Sequence, residues 1–172
     1  MKDVEKIIKE LNLQPHPEGG FYRETYRSNE KIAAEDLTGN YPGDRNISTC
    51  IYFLLTSDTF SAFHKIRQDE VWHFYTGSPI DLHVISEAGV HSKYTIGNRL
   101  DRNESPQFVV PGGNWFAAEV AEENSFALVG CTVAPGFDFS DFVLPSREEL
   151  QQKFRGHAEL INRFSRDTPL VK

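Results

Sequence analysis

The stretch FHKIRQDEVWHFYTG, residues 63–77, brings together side chains that can bind a metal or move a proton. It holds two histidines, an aspartate and a glutamate, and it ends on glycine. A neutral imidazole exchanges a proton near pH 7 at little cost, and a carboxylate beside it fixes its orientation. The residue types leave three interpretations open: a metal centre, a metal-free acid–base pair, and polar side chains that merely belong to a folded core.

The alternation of side chains along strands divides this stretch into two sets. On a predicted strand over residues 61–66, His64 points to one face. On the next strand Glu70, Trp72 and Phe74 share a face, and His73 points to the opposite one. We therefore expect His64 and Glu70 to converge inside a barrel and His73 to lie outside it.

The rest of the chain predicts an all-β protein with helices at its ends. Short strand patterns separated by turn residues run from about 47 to 134, the expected barrel core, as in an antiparallel sandwich or barrel. Residues 1–28 predict a short amphipathic helix followed by an edge strand. The segment 146–165 predicts two helices, the first with a capping box between Ser146 and Glu149. No interior boundary divides residues 1–172, so we expect a single domain.

The composition limits the classes of partner. The formal net charge of −7 argues against nucleic acid and against an anionic membrane, because both attract a positive surface. The N-terminus MKDVEKIIKELNL has no long apolar run, and no stretch has the length of apolar residues that a membrane helix needs. We expect a cytoplasmic protein whose two cysteines, Cys50 and Cys131, are reduced core thiols.

A family resemblance rests on two motifs. His64, Glu70 and Gly77, followed by Pro111 and Gly113, resemble the two signature motifs of the cupin superfamily. More closely, the phrases PHPEGGFYRETYRS, FHKIRQDEVWHFYTG, PQFVVPGGNWFAAE and LVGCTVAPGFDFSDF resemble a small single-domain cupin family of unknown function, the fifth cupin class. The resemblance implies a jelly-roll barrel like that of dTDP-sugar 3,5-epimerases, assembled as a homodimer.

The resemblance also gives expectations about a metal. Metal-binding cupins carry two histidines and a glutamate in the first motif and a further histidine in the second. On this chain His64 and Glu70 occupy two of those positions, while Ile66 and Phe116 occupy the other two. Since neither replacement can coordinate a metal, we expect no metal and no other cofactor.

The epimerases offer a second point of comparison. The segment 18–24, EGGFYRE, resembles one through which an epimerase subunit contributes to its neighbour's site, with Gly19 where the epimerases have arginine. However, the strand pattern at 126–134 lacks the tyrosine that those enzymes use as an acid. The resemblance thus implies the epimerase fold more strongly than the epimerase reaction.

These patterns predict a small-molecule pocket in the barrel. We expect His64 to be the base and Glu70 to orient it, with Trp72, Phe74 and Phe116 as pocket walls. Arg23, which alternates with aromatic residues near the N-terminus, is a candidate for binding an anionic ligand at a subunit boundary. Three functions stay open: metal-free isomerase- or lyase-like proton transfer on a small polar, sugar- or nucleotide-like compound; non-catalytic binding; and metal-dependent oxygenation.

Overall fold

The computed structural model describes residues 2–167, and β-strands form most of its regular structure. The prediction of a mostly β protein is confirmed. The expected single domain also included residue 1 and residues 168–172, which lie outside the described residues. The strands are β1 (Gln14–Pro15), β2 (Phe21–Arg27), β3 (Lys31–Ile32), β4 (Arg45–Asn46), β5 (Thr49–Thr56), β6 (Phe60–His64), β7 (Asp69–Gly77), β8 (Ile80–Ile85), β9 (His91–Ile96), β10 (Gln107–Val110), β11 (Trp115–Val120) and β12 (Phe126–Ala134).

Two antiparallel sheets face each other across an apolar core. The larger sheet has the order β1-β2-β5-β12-β7-β10 and the smaller has the order β6-β11-β8-β9. Side chains from both sheets, including Phe53, Trp72, Leu82 and Phe116, form the buried cluster between them. Each large apolar side chain buried there contributes about 1.5–3 kcal/mol relative to exposure.

The C-terminal helices cover the outer face of the smaller sheet. These helices are α2 (Arg147–Lys153) and α3 (Ala158–Arg163). The N-terminal helix is α1 (Lys2–Glu10). The predicted capping box is confirmed: the Ser146 backbone N–H donates to the Glu149 carboxylate, and the Glu149 N–H donates to Ser146 Oγ. A second buried cluster forms beneath α2 and α3 and includes Trp115 from β11 and Phe164. No helix within residues 2–167 is long and apolar enough to cross a membrane.

Candidate functional site

A cavity of about 460 Å³ lies in the barrel between the inner face of the larger sheet and strand β6. This volume is within the range of small-molecule sites. Most of its walls are aromatic or aliphatic, and ionisable side chains lie at the floor and the mouth. The lining residues are Gln14, His16, Glu18, Tyr22, Glu24, Arg27, Thr49, Ile51, Phe53, His64, Ile66, Glu70, Trp72, Cys131, Val133, Phe137, Asp138, Phe139 and Phe142.

The turn PHPEGG places Glu18 at the floor of this cavity. Gly19 and Gly20 have φ angles of +118° and +73°, which glycine adopts without steric cost. A Cβ atom at Gly19 would collide with the Phe60 carbonyl, so the turn approaches β6 more closely than any other residue would allow. The Ala62 N–H then donates to the Glu18 carbonyl at 2.8 Å, which fixes the turn against the strand carrying His64.

His64 and Glu18 share one proton. His64 Nδ1 lies 2.7 Å from the Ala62 carbonyl, which only accepts, so Nδ1 carries a hydrogen. His64 Nε2 lies 3.1 Å from Glu18 Oε2. In a neutral imidazole this Nε2 has no hydrogen, so the shared proton resides on Glu18 and is donated to His64. Ser61 Oγ donates to the other carboxyl oxygen of Glu18 at 2.8 Å.

The pKa directions agree with this neutral pair. Burial lowers the pKa of His64 to about 4, partly offset by its hydrogen bond to the Ala62 carbonyl. Burial, reinforced by the negative charge of Glu70, raises the pKa of Glu18 well above its ordinary value. Burial and the neighbouring His64 also lower the pKa of His16 to about 3. At pH 7 both imidazoles are therefore neutral, and the raised pKa of Glu18 agrees with the proton that its hydrogen bond to His64 requires.

Glu70 is the group at the floor that titrates near neutral pH. Burial raises its pKa to about 7, against a smaller lowering effect of the nearby Cys131 thiol and Trp72 indole. The thiol is a weak hydrogen-bond donor, and the Trp72 Nε1 atom has no hydrogen-bond partner among the described residues. The Glu70 carboxyl is thus buried, lines the cavity, and lacks a strong partner within the described chain.

The structure confirms the predicted faces but alters the predicted pairing. His64 and Glu70 both line the cavity, while His73 lies outside, where its Nε2 is 3.1 Å from Thr132 Oγ1. The carboxyl group against His64 is that of Glu18, which comes from the N-terminal turn and not from the neighbouring strand. Because Glu18 already donates to His64 Nε2, Glu70 is the freer proton acceptor. The catalytic roles of both residues stay predictions.

The remaining candidate residues are divided between the cavity and other surroundings. Trp72 lines the cavity as predicted. Phe116 lies behind His64, with ring centroids 4.0 Å apart, and belongs to the core instead of the lining. Phe74 lines a separate cavity of about 280 Å³ that also includes Arg99 and Glu104. Phe74 keeps the inward face of Glu70 and Trp72, because the β-bulge in the pairing of β7 with β12 falls after it, but it lies farther along β7, beside the second cavity.

Arg23 also lies away from the cavity. Its guanidinium group lies 5.6 Å from the ring centroid of Tyr52 and makes a cation–π contact. The arginine at the cavity is Arg27, because a bulge in the pairing of β2 with β5, between Glu24 and Tyr26, reverses the alternation after Glu24. Arg27 Nε and Nη2 donate to the two carboxylate oxygens of Glu24 at 2.9 and 2.7 Å.

An aromatic lip, residues 137–142, covers one side of the cavity mouth. Phe137, Phe139 and Phe142 line the cavity from this lip. The lip is anchored by buried Asp141, which accepts two hydrogen bonds from Arg45, at 2.6 and 2.8 Å. Paired charges in a buried, bidentate arrangement resist displacement. Asp141 therefore braces the lip against Arg45.

The residues at the floor do not fit a metal centre. Within residues 2–167, no group of three or more His, Cys, Asp and Glu side chains has an arrangement suited to holding a metal ion. Both ring nitrogens of His64 already face protein oxygens, and Ile66 and Phe116 are buried at the other two expected ligand positions. Transition-metal sites of the oxygenase type need about three protein ligands.

Comparison with known proteins identifies the family. The family model described as Cupin superfamily (DUF985) matches residues 5–145. An uncharacterized protein of Saccharomyces cerevisiae is 30% identical over 158 residues, covering 86% of this chain and 78% of the yeast protein. The chain belongs to the cupin superfamily.

Solved cupin-like structures agree over most of this chain. A hypothetical protein from Leishmania major is 34% identical, with a TM-score of 0.85, and the match covers 94% of this chain and 97% of that one. A Shewanella oneidensis protein is 38% identical, with a TM-score of 0.83 and coverage of 94% and 96%. Bacillus subtilis oxalate decarboxylase is only 15% identical, with a TM-score of 0.54 over 90% of this chain and 37% of the enzyme. That likeness shows the fold alone, and the predicted cupin jelly roll is confirmed.

Sequence reasoning missed two members of the floor, His16 and Glu18. It considered Glu18 only as the start of the epimerase-like segment 18–24 and assigned no role to His16. The usable signal was the glycine pair after Glu18, since consecutive glycines permit the close approach that brings a turn into a cupin barrel. Alternation along strands could not reveal either residue, because both belong to a loop.

Proposed function

We propose that this cupin binds a small molecule in the barrel cavity and catalyses metal-free proton transfer of the isomerase or lyase type. Glu70 is the group that takes up or releases the substrate proton. The His64–Glu18 pair lies at the same floor and presents a hydrogen-bonded, uncharged polar surface to the substrate.

The protonation state of Glu70 carries this proposal. A general acid or base is most effective when its pKa lies near the working pH. The pKa of Glu70 is about 7, because burial opposes its charge, and its carboxyl group lines a cavity of small-molecule size. Apolar walls with a few polar groups at one end are typical of ligand sites. These features support proton transfer over a purely structural role for the carboxyl group.

Hydrogen exchange in heavy water tests the proposed reaction. Compounds that co-purify with the untagged protein are extracted, identified by mass spectrometry and returned to the protein in D₂O. Proton NMR then follows the loss of carbon-bound hydrogen from each compound. We expect exchange with the unaltered protein and a rate lower by about 10²- to 10⁴-fold with Glu70→Gln, the range for general acid–base groups.

The matched control is His83→Gln, which alters a buried histidine far from the cavity floor in the fold. We expect it to exchange hydrogen at the unaltered rate. Tight binding of a retained compound to all three proteins, without exchange in any of them, would favour non-catalytic binding instead. That alternative is supported by the largely apolar walls and by the internal pairing of His64 with Glu18.

We also propose that the protein is a homodimer. The predicted crossing segment, 18–24, pairs within its own barrel, since β2 lies beside β5. However, β1 pairs with β2 only at Phe21 and Tyr22, so the remaining edge of β2 has no neighbouring strand in the described chain. An open strand edge favours association. Sedimentation at micromolar concentration checks this expectation, and a purely monomeric species would contradict it.

A further inference from the structure

The charged groups of the cavity are unbalanced. Four carboxyl groups line it, those of Glu18, Glu24, Glu70 and Asp138, against one guanidinium group, that of Arg27. Arg27 is neutralised by its paired hydrogen bonds to Glu24. Glu18 is uncharged because it carries the proton shared with His64. The charges left without a partner in the cavity are therefore those of Asp138, and of Glu70 when it is ionised.

This balance disfavours anionic ligands. No lysine and no second arginine occurs among the lining residues of the described chain. Arg27 has little capacity left for a phosphate, because its Nη1 also donates to Asn46 Oδ1 at 2.8 Å and to the Phe137 carbonyl at 3.1 Å. The chain as a whole carries a net charge of −7, which attracts cations to the surface. A nucleotide-linked substrate would meet no strong phosphate site here.

The walls suit an organic cation. Aromatic rings line the cavity on both sides, from Tyr22, Phe53 and Trp72 in the sheet and from Phe139 and Phe142 in the lip. A cation near an aromatic face gains about 0.5–1 kcal/mol in water and about 2 kcal/mol when desolvated. The same rings accommodate an apolar ligand body. Aromatic walls and an unpaired carboxylate are complementary to one type of ligand, an amine with an apolar group.

Glu70 is the group most in need of such a ligand. Its exposed fraction is 9%, and no lysine or arginine of residues 2–167 forms an ion pair with it. A buried carboxylate without a cation is unfavourable by several kcal/mol, and a bound cation removes that cost. Since Glu70 lines the cavity, a cationic group of a ligand bound there can approach it.

We propose that the cavity binds a small organic amine in its cationic form, with the Glu70 carboxylate as its counter-ion. The inference rests on the proposed small-molecule site and adds the chemical class of its ligand. The ammonium group lies at the floor against Glu70, and the apolar part of the amine lies between the sheet and the lip.

The pH dependence of binding follows from the groups that surround Glu70. Glu18, His64 and Cys131 are the titratable neighbours at the floor, and burial disfavours the charged form of each: it lowers the pKa of His64 to about 4 and raises the pKa values of Glu18 and Cys131 well above their ordinary values. Between pH 6 and pH 8 the group that changes charge is therefore Glu70. Because the ionised form binds the cation, amine affinity rises over this interval while the amine itself remains protonated.

Three probes of similar shape test the proposal: benzylamine, benzyl alcohol and benzoate. Isothermal titration calorimetry at pH 8 measures their binding to the unaltered protein, to Glu70→Gln and to Glu87→Gln. Glu87 is an exposed carboxylate outside the cavity lining, so its variant has the same change in net charge. We expect benzylamine to bind most tightly, to lose at least about tenfold in affinity with Glu70→Gln, and to be unaffected by Glu87→Gln.

Distinct outcomes overturn this inference and the proposed function. Tighter binding of benzyl alcohol or benzoate, or equal benzylamine affinity in Glu70→Gln, shows that the ligand class is wrong and leaves the proton-transfer proposal intact. The same conclusion follows if benzylamine does not bind at millimolar concentration. Benzylamine binding that depends on Glu70, combined with no hydrogen exchange in any retained compound, supports the ligand class and contradicts the catalytic proposal.

Discussion

Histidines lie on both faces of the smaller sheet, and their surroundings differ. On the inner face, His64 and the nearby His16 share Glu18 and line the cavity; we call these residues with Glu70 the cavity cluster. On the outer face, His83, His91 and His157 lie beneath the C-terminal helices; we call these the outer cluster. Both clusters hold buried imidazoles, but the cavity cluster alone combines them with buried carboxyl groups that a ligand could reach.

The outer cluster is bonded within itself. His83 Nδ1 lies 3.1 Å from His91 Nε2, and the two rings stack with centroids 5.3 Å apart. His83 also packs on Phe164, at a centroid distance of 4.8 Å. His157 Nε2 donates to the Gly89 carbonyl at 2.7 Å, which joins the start of α3 to the turn before β9. These contacts link the helices to the sheet.

A comparison of the two clusters shows that a shifted imidazole pKa is by itself weak evidence of function. Burial lowers the pKa of His83 to about 4, as it does for His64. In the cavity cluster, however, burial also raises the pKa values of Glu18 and Glu70. Opposite shifts in neighbouring acids and bases make proton exchange possible near neutral pH, whereas burial of His83 beside His91 only opposes its protonation.

Replacing Glu18 should give the largest change in stability within the two clusters. Glu18→Ala leaves Ser61 Oγ and His64 Nε2 buried without their partner, at a cost of about 1–3 kcal/mol for each unsatisfied group. Glu18→Gln keeps the shape and donates an amide hydrogen to His64. We expect a loss of about 2–4 kcal/mol in the free energy of unfolding for alanine and less than about 1 kcal/mol for glutamine, measured by urea denaturation at pH 7. Equal losses would show that Glu18 is ionised in the folded protein.

Acid should destabilise the protein through the outer cluster. His83 has a pKa of about 4 when folded and about 6.5 when unfolded. The unfolded state therefore binds more protons over this interval, so stability falls as the pH decreases from about 6.5 to about 4. We expect His83→Gln to lose less stability than the unaltered protein between pH 7 and pH 4.5, by about 1–3 kcal/mol. Parallel stability curves for the two proteins would contradict this expectation.

Glu70 should produce the opposite dependence. Its pKa is raised from an ordinary 4.5 to about 7, so the folded state binds more protons between these values and stability falls as the pH rises. Glu70→Gln removes this pH-dependent contribution to the free energy of unfolding. We expect the variant to gain about 1–2 kcal/mol over the unaltered protein between pH 5 and pH 8, measured by urea denaturation without added ligand. A constant difference across this interval would show that Glu70 does not titrate there.

The sequence predicted the barrel better than the site, for a physical reason. Eight strands from β5 to β12 were found because a buried face imposes a two-residue period on regular strands. The same rule placed His64 and Glu70 inward and His73 outward. It failed at the bulge between Glu24 and Tyr26, where one extra residue shifts the alternation. That bulge explains why Arg27 and not Arg23 lines the cavity, whereas Phe74 points inward as predicted but lies too far along β7 to reach the cavity.

Local sequence patterns could not predict Glu18 as the hydrogen-bond partner of His64. Glu18 precedes His64 by 46 positions in the chain and belongs to a turn without periodicity. Its position depends on glycine backbone angles and on one hydrogen bond to β6, neither of which a strand pattern encodes. The distinction between the cavity and outer clusters likewise depends on what covers each face of the smaller sheet, which is a property of the assembled fold.

His73 should show the smallest effect, and it tests the division between inner and outer faces directly. Its imidazole is half-buried on the outer face of the larger sheet, where Nδ1 lies 3.1 Å from Gln107 Nε2. Because water replaces such exposed contacts, we expect His73→Ala to change the free energy of unfolding by about 0.5 kcal/mol or less. Benzylamine binding should be unchanged, since this face has no connection to the cavity lining. A loss of binding in His73→Ala at unchanged stability, together with normal binding in Glu70→Gln, would reverse the assignment of faces. The same result would move the ligand site to the outer surface of the larger sheet.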